Sequence, residues 1–306
     1  MKVLVTGGTG LVGTAMKNIK DDYIYLSSKD GDLRKETDVK AIFERYSPNV
    51  VIHLAANVGG LYKNMHQKAQ MYEDNMLMNT LVLKHARLCG VEKVIVMLST
   101  CIFPDDIGDI IREDDLHIGP PHPSNEGYAY AKRMMEVHGR ILHKECKMQV
   151  ICISPTNIYG PYDNFSLEDA HVIPALIHKC WIAKKNNEPF IVKGSGKPLR
   201  QFIYSNDLAK CIIQMVSKND IGYGHFICAP KDSEISIEYV ARSIAKCIDY
   251  EDAIVFDKSY ADGQYKKTVE PNPIFANTHF TSFEEGIKTT VNWFVKNVDE
   301  SRKIRM

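Results

Sequence analysis

Lys2-Val3-Leu4-Val5-Thr6 runs directly into Gly7-Gly8-Thr9-Gly10-Leu11-Val12-Gly13, and this junction constrains the fold more than any other stretch of the chain. A short apolar run here reads as a buried parallel strand. Glycines at 7, 10 and 13 permit a tight turn from strand into helix and let the helix pack close to the strand. They also let backbone N–H groups approach a pyrophosphate, whose charge the helix N-terminus favours. The stretch from Leu11 to Ile19 is the helix this reading requires. A dinucleotide-binding α/β sheet is therefore the expected start of the fold.

The alternation continues through the first half. Val39, Ile42, Phe43 and Tyr46 mark one face of a helix that Pro48 ends, and Val50 to Ala56 follows as a buried strand running into Asn57-Val58-Gly59-Gly60. A helix from about Ala69 to Leu88, a strand from Lys93 to Leu98, a helix from Tyr128 to Lys144 and a strand from Gln149 to Ile153 complete the pattern. Such alternation predicts a Rossmann-type, doubly wound parallel sheet with helices on both faces. Beyond about residue 165 the chain loosens into short elements punctuated by Pro174, Pro189, Pro198 and Pro230. The expected organisation is a cofactor-binding unit over 1–165 and a smaller α/β substrate-binding region over 166–306, with the chain crossing back to the sheet. A last helix from about Phe283 carries apolar residues at Phe283, Ile287, Val291, Phe294, Val295 and Val298, with Thr281 or Ser282 as its cap.

The strand Tyr23 to Leu26 ends in Ser27-Ser28-Lys29 rather than in an acidic residue. A carboxylate there would bond a ribose 2′-hydroxyl and repel a 2′-phosphate, whereas hydroxyls and a cation favour the phosphate. The loop thus favours NADPH over NADH, although a one-residue shift of the turn would bring Asp30 to the ribose. A second constellation is Ser99-Thr100-Cys101 at a strand end, followed by Tyr128-Ala129-Tyr130-Ala131-Lys132. Tyrosine and lysine four apart on a helix share a face, so the ammonium is expected to hold down the phenol pKa, ordinarily about 10.

Lysine plus arginine equals aspartate plus glutamate at 38 each, with no basic block, which leaves no general electrostatic case for nucleic acid. The eight cysteines contain no C-x-x-C pair, so no metal site is suggested, and those outside Cys101 read as buried hydrophobes or inert surface thiols. No signal-peptide pattern and no apolar run of about eighteen residues interrupts the chain, so no membrane association and a reducing, cytoplasmic setting are expected.

Gly7-x-x-Gly10-x-x-Gly13, Leu54-Ala55-Ala56, Ser99 and Tyr128-x-x-x-Lys132 resemble the extended short-chain dehydrogenase/reductase superfamily. The resemblance narrows to its GDP-L-fucose synthases through Ala55 to Gly60, Ser99 to Pro104, Pro155 to Phe165 and His171 to Leu176. It extends into Gly194 to Tyr204 and Asp262 to Lys267. Members of that family use NADPH to convert GDP-4-keto-6-deoxy-D-mannose to GDP-L-fucose, inverting carbons 3 and 5 before reducing carbon 4.

The resemblance implies Ser99, Cys101, Tyr128, Lys132 and His171 as catalytic residues, with Cys101 and His171 moving the protons of epimerisation. It implies a cofactor site of Gly7, Thr9, Gly10, Leu11, Val12, Gly13, Ser28, Lys29, Asp32, Leu33, Leu54, Ala55, Ala56, Tyr128, Lys132, Pro155, Asn157, Ile158 and His171. Asn157, Val172, Lys179, Arg200 and Lys267 are implied as substrate contacts. A homodimer is expected by analogy with related reductases that pair two helices, through positions such as Met71, Leu77, Leu81, Met134, Met135 and Ile141. Lys193 stands where many family members have tryptophan, removing an aromatic contribution to nucleotide binding at that position, and Thr268 to Pro273 matches no family pattern. A reductase or epimerase of another 4-keto nucleotide sugar, such as a GDP-heptose, therefore stays open, as does a catalytically silent NADPH-binding regulator.

Overall fold

The computed structural model describes residues 1–306 except 109, 232, 261, 263, 264 and 300–303. Gly263 and Gln264 of the Asp262–Lys267 motif thus lie outside the described residues. The chain begins as β1 (Val3–Thr6), α1 (Leu11–Ile19), β2 (Ile24–Tyr25), α2 (Glu36–Tyr46) and β3 (Val50–His53). A short α3 (Leu61–His66) and a long α4 (Lys68–Leu88) lead to β4 (Lys93–Met97). Beyond β5 (Ile110–Ile111), α5 (Glu126–Cys146) returns to β6 (Gln149–Pro155) and β7 (Asn157–Tyr159). The second half adds α6 (Val172–Asn186), β8 (Phe190–Lys193), β9 (Leu199–Tyr204), α7 (Ser205–Val216) and β10 (Tyr223–Cys228). It finishes with β11 (Glu234–Ser236), α8 (Ile237–Ile248), β12 (Ile254–Asp257), β13 (Thr268–Val269) and α9 (Phe283–Asn297).

Six strands form a parallel sheet in the order β10-β6-β4-β3-β1-β2. Both faces are covered, which is why its strands read as unbroken apolar runs. In β1, Leu4 enters a core with Phe43, Leu83 and Met135, while Val3 and Val5 enter the opposite core with Met16, Leu208 and Ile212. Burial of each such side chain contributes about 2 kcal/mol. The strand order reverses between β1 and β3, and ligands bind at the carboxyl ends of strands beside such a switch.

The second half does not stay apart from this sheet. β10 pairs with β6, and α7 packs into the same core as α1. A further core joins α6, α8 and α9 through Ile173, Ile177, Ile244, Ile287 and Phe294. Three local expectations change. The second strand contracts to Ile24–Tyr25, and Leu54 to Ala56 leave strand form to become the loop beside the glycine turn. Val295 is exposed instead of joining the buried stripe of α9, whose cap is Ser282, accepting from the Glu285 N–H at 3.2 Å. Cys152, Cys180, Cys211 and Cys228 are buried, and Cys89 and Cys146 are exposed free thiols. Among the described residues, no helix is long and apolar enough to cross a membrane.

Candidate active site

The glycine turn is built by contact. Gly7 has φ +68°, and a Cβ there would lie 2.7 Å from the Ala55 nitrogen; a Cβ on Gly13 would lie 2.5 Å from the Gly7 carbonyl oxygen. Both positions therefore demand glycine, and Leu54–Ala56 is brought against the turn. The Gly8 N–H donates to the Leu26 carbonyl at 2.7 Å, which places Ser27–Lys29 on the other side of it. Asp30 turns back into its own loop, where its Oδ2 accepts from the Ser27 N–H at 2.8 Å and from the Ser27 hydroxyl at 2.9 Å. These bonds hold its carboxyl below the usual range. Ser28 and Lys29 are left exposed. The Asp32 carboxylate accepts from the Arg34 backbone N–H at 3.0 Å and from its guanidinium at 2.9 and 3.0 Å, and Leu33 packs on the core under α2.

Beside this edge, β4 delivers Ser99 and a 3₁₀ turn over Thr100–Ile102 carries Cys101. The Ser99 hydroxyl accepts from the Cys101 N–H at 3.3 Å. Helix α5 is aligned with this turn by Arg133, which donates to the Ile102 carbonyl and, at 2.7 Å, to the Gly119 carbonyl. A buried chain holds the other side. Thr6 bonds His53 at 2.8 Å, His53 bonds Asn79 at 3.1 Å, and the Asn79 amide donates to the Ala131 carbonyl at 3.3 Å. Tyr128 and Lys132 are thereby fixed over the end of β4.

A cavity of about 530 Å³ collects Ser99, Cys101, Tyr128, Asn157, His171, Arg200 and Lys267 on one wall system. Val172 and Lys179 stay off its lining. Lys179 sits on α6 near Lys193, whose charge, after burial, draws its pKa down. Lys267 lies close enough to Cys101 for their charges to interact. It is carried there by β13: the Gln201 side chain accepts from the Val269 N–H at 2.7 Å. Thr268–Val269, which matched no pattern, is thus a strand paired with β5. Sequence reasoning missed Asn64, His122, Ser124 and Gln201, which also line the cavity. Of these only Gln201 lay inside a quoted motif. The aromatic lost at Lys193 has a neighbour in its place, since the ammonium lies 4.4 Å over the Tyr260 ring.

Burial governs the electrostatics. The Cys101 thiol is pushed up by burial, against the opposing Ser99 hydroxyl and the charges of Lys267 and Lys132. His171 lines the cavity while keeping part of its side chain exposed, and the protein packed around it draws the imidazole pKa down by desolvation. Lys132 is lowered by burial to about 8. Its ammonium donates to the Met97 carbonyl at 2.7 Å and stands 5.7 Å from the Tyr128 ring centroid. The phenol is raised by burial and by the thiol's charge, so the lysine does not hold it down as the four-residue spacing predicts. The spacing puts the two on one face, but the carbonyl at the strand end claims the ammonium.

Residues 3–229 match the model of the NAD dependent epimerase/dehydratase family. The chain is 43% identical over 311 residues to the GDP-L-fucose synthase of Dictyostelium discoideum, covering 98% of this chain and 97% of that one. It is 40% identical to a probable GDP-L-fucose synthase of Drosophila melanogaster, covering 99% of each. The crystal structure of a GDP-L-fucose synthetase from Naegleria fowleri bound to NADP superposes with a TM-score of 0.91 at 43% identity, covering 99% of this chain and 94% of that one. The glycine turn at the β1/β3 switch, the Ser–Tyr–Lys set and this end-to-end likeness place the chain in the NAD dependent epimerase/dehydratase family, among its GDP-L-fucose synthases.

Proposed function

We propose that this protein is an NADPH-dependent GDP-L-fucose synthase that epimerises carbons 3 and 5 of GDP-4-keto-6-deoxy-D-mannose and reduces carbon 4. The observation that carries the reading is one cavity that holds Ser99 and Tyr128 together with a thiol and an imidazole, Cys101 and His171, that reduction alone does not require. The glycine cradle, which a Cβ would fill, suits a pyrophosphate, and exposed Ser28 and Lys29 suit a 2′-phosphate. NADPH supplies the hydride for carbon 4. The residues of the chain manage the protons. Burial pushes the two epimerising groups apart: the thiol starts protonated and donates, the imidazole starts neutral and accepts, and proton exchange with solvent returns both to those forms before the second inversion. Ser99 and the Tyr128 hydroxyl stabilise charge on the carbon-4 oxygen during each enolisation, and Tyr128 gives that oxygen its proton in the reduction. Lys132 holds the ribose, and Arg200 and Asn157 hold the nucleotide sugar. The cofactor side is residues 1–165 and the substrate side 166–306, apart from the return through α7 and β10.

Incubation with GDP-4-keto-6-deoxy-D-mannose and NADPH is expected to yield GDP-L-fucose. A product reduced at carbon 4 but unchanged at carbons 3 and 5 would favour a plain 4-keto reductase, such as one for a GDP-heptose. No NADPH oxidation at all would favour the silent regulator. A silent protein has no use for a Ser99–Tyr128 pair enclosed with an acid and a base. The Lys193–Tyr260 pair sets a cation beside a ring at the position where many family members carry a tryptophan, and neither residue lines the cavity.

The same reading extends to assembly in the cytoplasm as a homodimer. Met71 and Met135, expected at the interface, are buried in the monomer, whereas Tyr72, Leu77, Met134 and Ile141 are exposed on α4 and α5. Pairing these two helices across a two-fold axis covers them. Light scattering at micromolar concentration is expected to give twice the 34.7 kDa chain mass; a single-chain mass rules the interface out.

A further inference from the structure

His171 begins α6 without a side-chain bond to that helix, so its placement depends on the backbone around it. Downstream, the Ala175 N–H donates to the His171 carbonyl at 3.1 Å. Upstream, the support comes from a distant part of the chain. The Gly60 N–H donates to the Asp169 carbonyl at 2.8 Å, and a Cβ on Gly60 would collide with the Ala170 carbonyl. The loop after β3 is therefore pressed against the two residues that precede the candidate base. That loop is itself clamped. The Asn64 amide, 8% exposed, donates to the Gly59 carbonyl at 2.8 Å and to the Gly60 carbonyl at 3.0 Å. Two carbonyl acceptors fix the amide's orientation, because only its nitrogen can serve both. The remaining Oδ1 is buried without a protein partner.

We infer that Gly60 and Asn64 are positioning residues for epimerisation: Asn64 holds the Gly59–Gly60 backbone, and that backbone sets the reach of His171 through Asp169 and Ala170. The inference rests on the acid–base role proposed for His171. Neither residue belongs to the glycine turn or to Ser28 and Lys29, so the pyrophosphate and 2′-phosphate ends of the cofactor site are built from other parts of the chain.

The test is solvent deuterium exchange at carbons 3 and 5 of GDP-4-keto-6-deoxy-D-mannose, followed by NMR in heavy water for the unmodified protein, His171→Gln, Gly60→Ala and Asn64→Asp. Gly60→Ala drives the Ala170 carbonyl away. Asn64→Asp is isosteric but sets a carboxylate against two carbonyls, and it serves should the glycine variant not fold. A displaced base is expected to slow exchange about 10- to 100-fold, with a fall in kcat larger than any change in KM for NADPH. Product reduced without complete inversion should accumulate, which a general loss of folded protein does not cause. If His171→Gln is impaired while both loop variants exchange at the unmodified rate, the positioning role is overturned. If His171→Gln exchanges normally, the base assignment itself fails and the inference falls with it.

Discussion

Replacing Cys101 with serine is expected to remove most epimerisation, about 10²- to 10⁴-fold, while NADPH is still slowly oxidised, because a hydroxyl exchanges protons poorly near neutrality. The product should be sugar reduced at carbon 4 without complete inversion. His171→Gln should impair exchange as well. Tyr128→Phe should stop reduction and slow exchange without abolishing it, since the Ser99 hydroxyl still faces the developing oxyanion. Deuterium incorporation and NADPH consumption, measured together in heavy water, separate the three failures. The pH dependence follows from the shifts. His171 must be neutral to accept a proton, and burial lowers its pKa, so the acid limb of exchange should fall below the ordinary histidine value of 6.5. Lys132 is charged below about 8 and discharges above it, so activity should decline on that alkaline side. Exchange and GDP-L-fucose formation by Cys101→Ser at the unmodified rate would return the cysteine to a packed side chain.

Lys29→Glu is expected to weaken NADPH binding about 10- to 100-fold and to leave NADH binding nearly unchanged, because a charge-assisted contact to the 2′-phosphate becomes a repulsion. The loop's geometry makes this clean. Asp30 is already turned into the Ser27 backbone and hydroxyl, so the variant adds the only carboxylate facing that side among the residues Ser27–Asp30. Fluorescence titration of both cofactors against both proteins measures it. Equal affinity of the unmodified protein for NADPH and NADH would sink the role given to Lys29.

Much of the site was legible from local spacing. Val3–Thr6 and Gly7–Gly13 encode a strand, a turn and a helix within a dozen residues, and α1 forms over the very stretch from Leu11 to Ile19. Ser99, Cys101, Tyr128 and Lys132 could be found because each follows a strand end or shares a helix face. The errors lie where one local preference meets a distant partner. Lys132 was expected to serve Tyr128, but the Met97 carbonyl takes its ammonium. Val295 fits an apolar stripe by spacing, yet α9 presents it to solvent because Ile287, Val291 and Phe294 already fill the contact with α6 and α8. Met71 and Met135 looked like interface positions and are core.

The amino-acid sequence by itself determined the parallel sheet and the glycine cradle, since hydrophobic periodicity and backbone permissiveness act over a few residues, and its motifs supplied the candidates for proton handling. Only the tertiary structure decided which of those groups share a cavity. Gly60 meets Asp169, Gln201 meets Val269, and Lys267 approaches Cys101 through contacts between segments remote in the chain. Enclosure in that assembled cavity also raises the thiol and lowers the imidazole, because desolvation penalises charge according to what surrounds a group and not according to its neighbours in sequence.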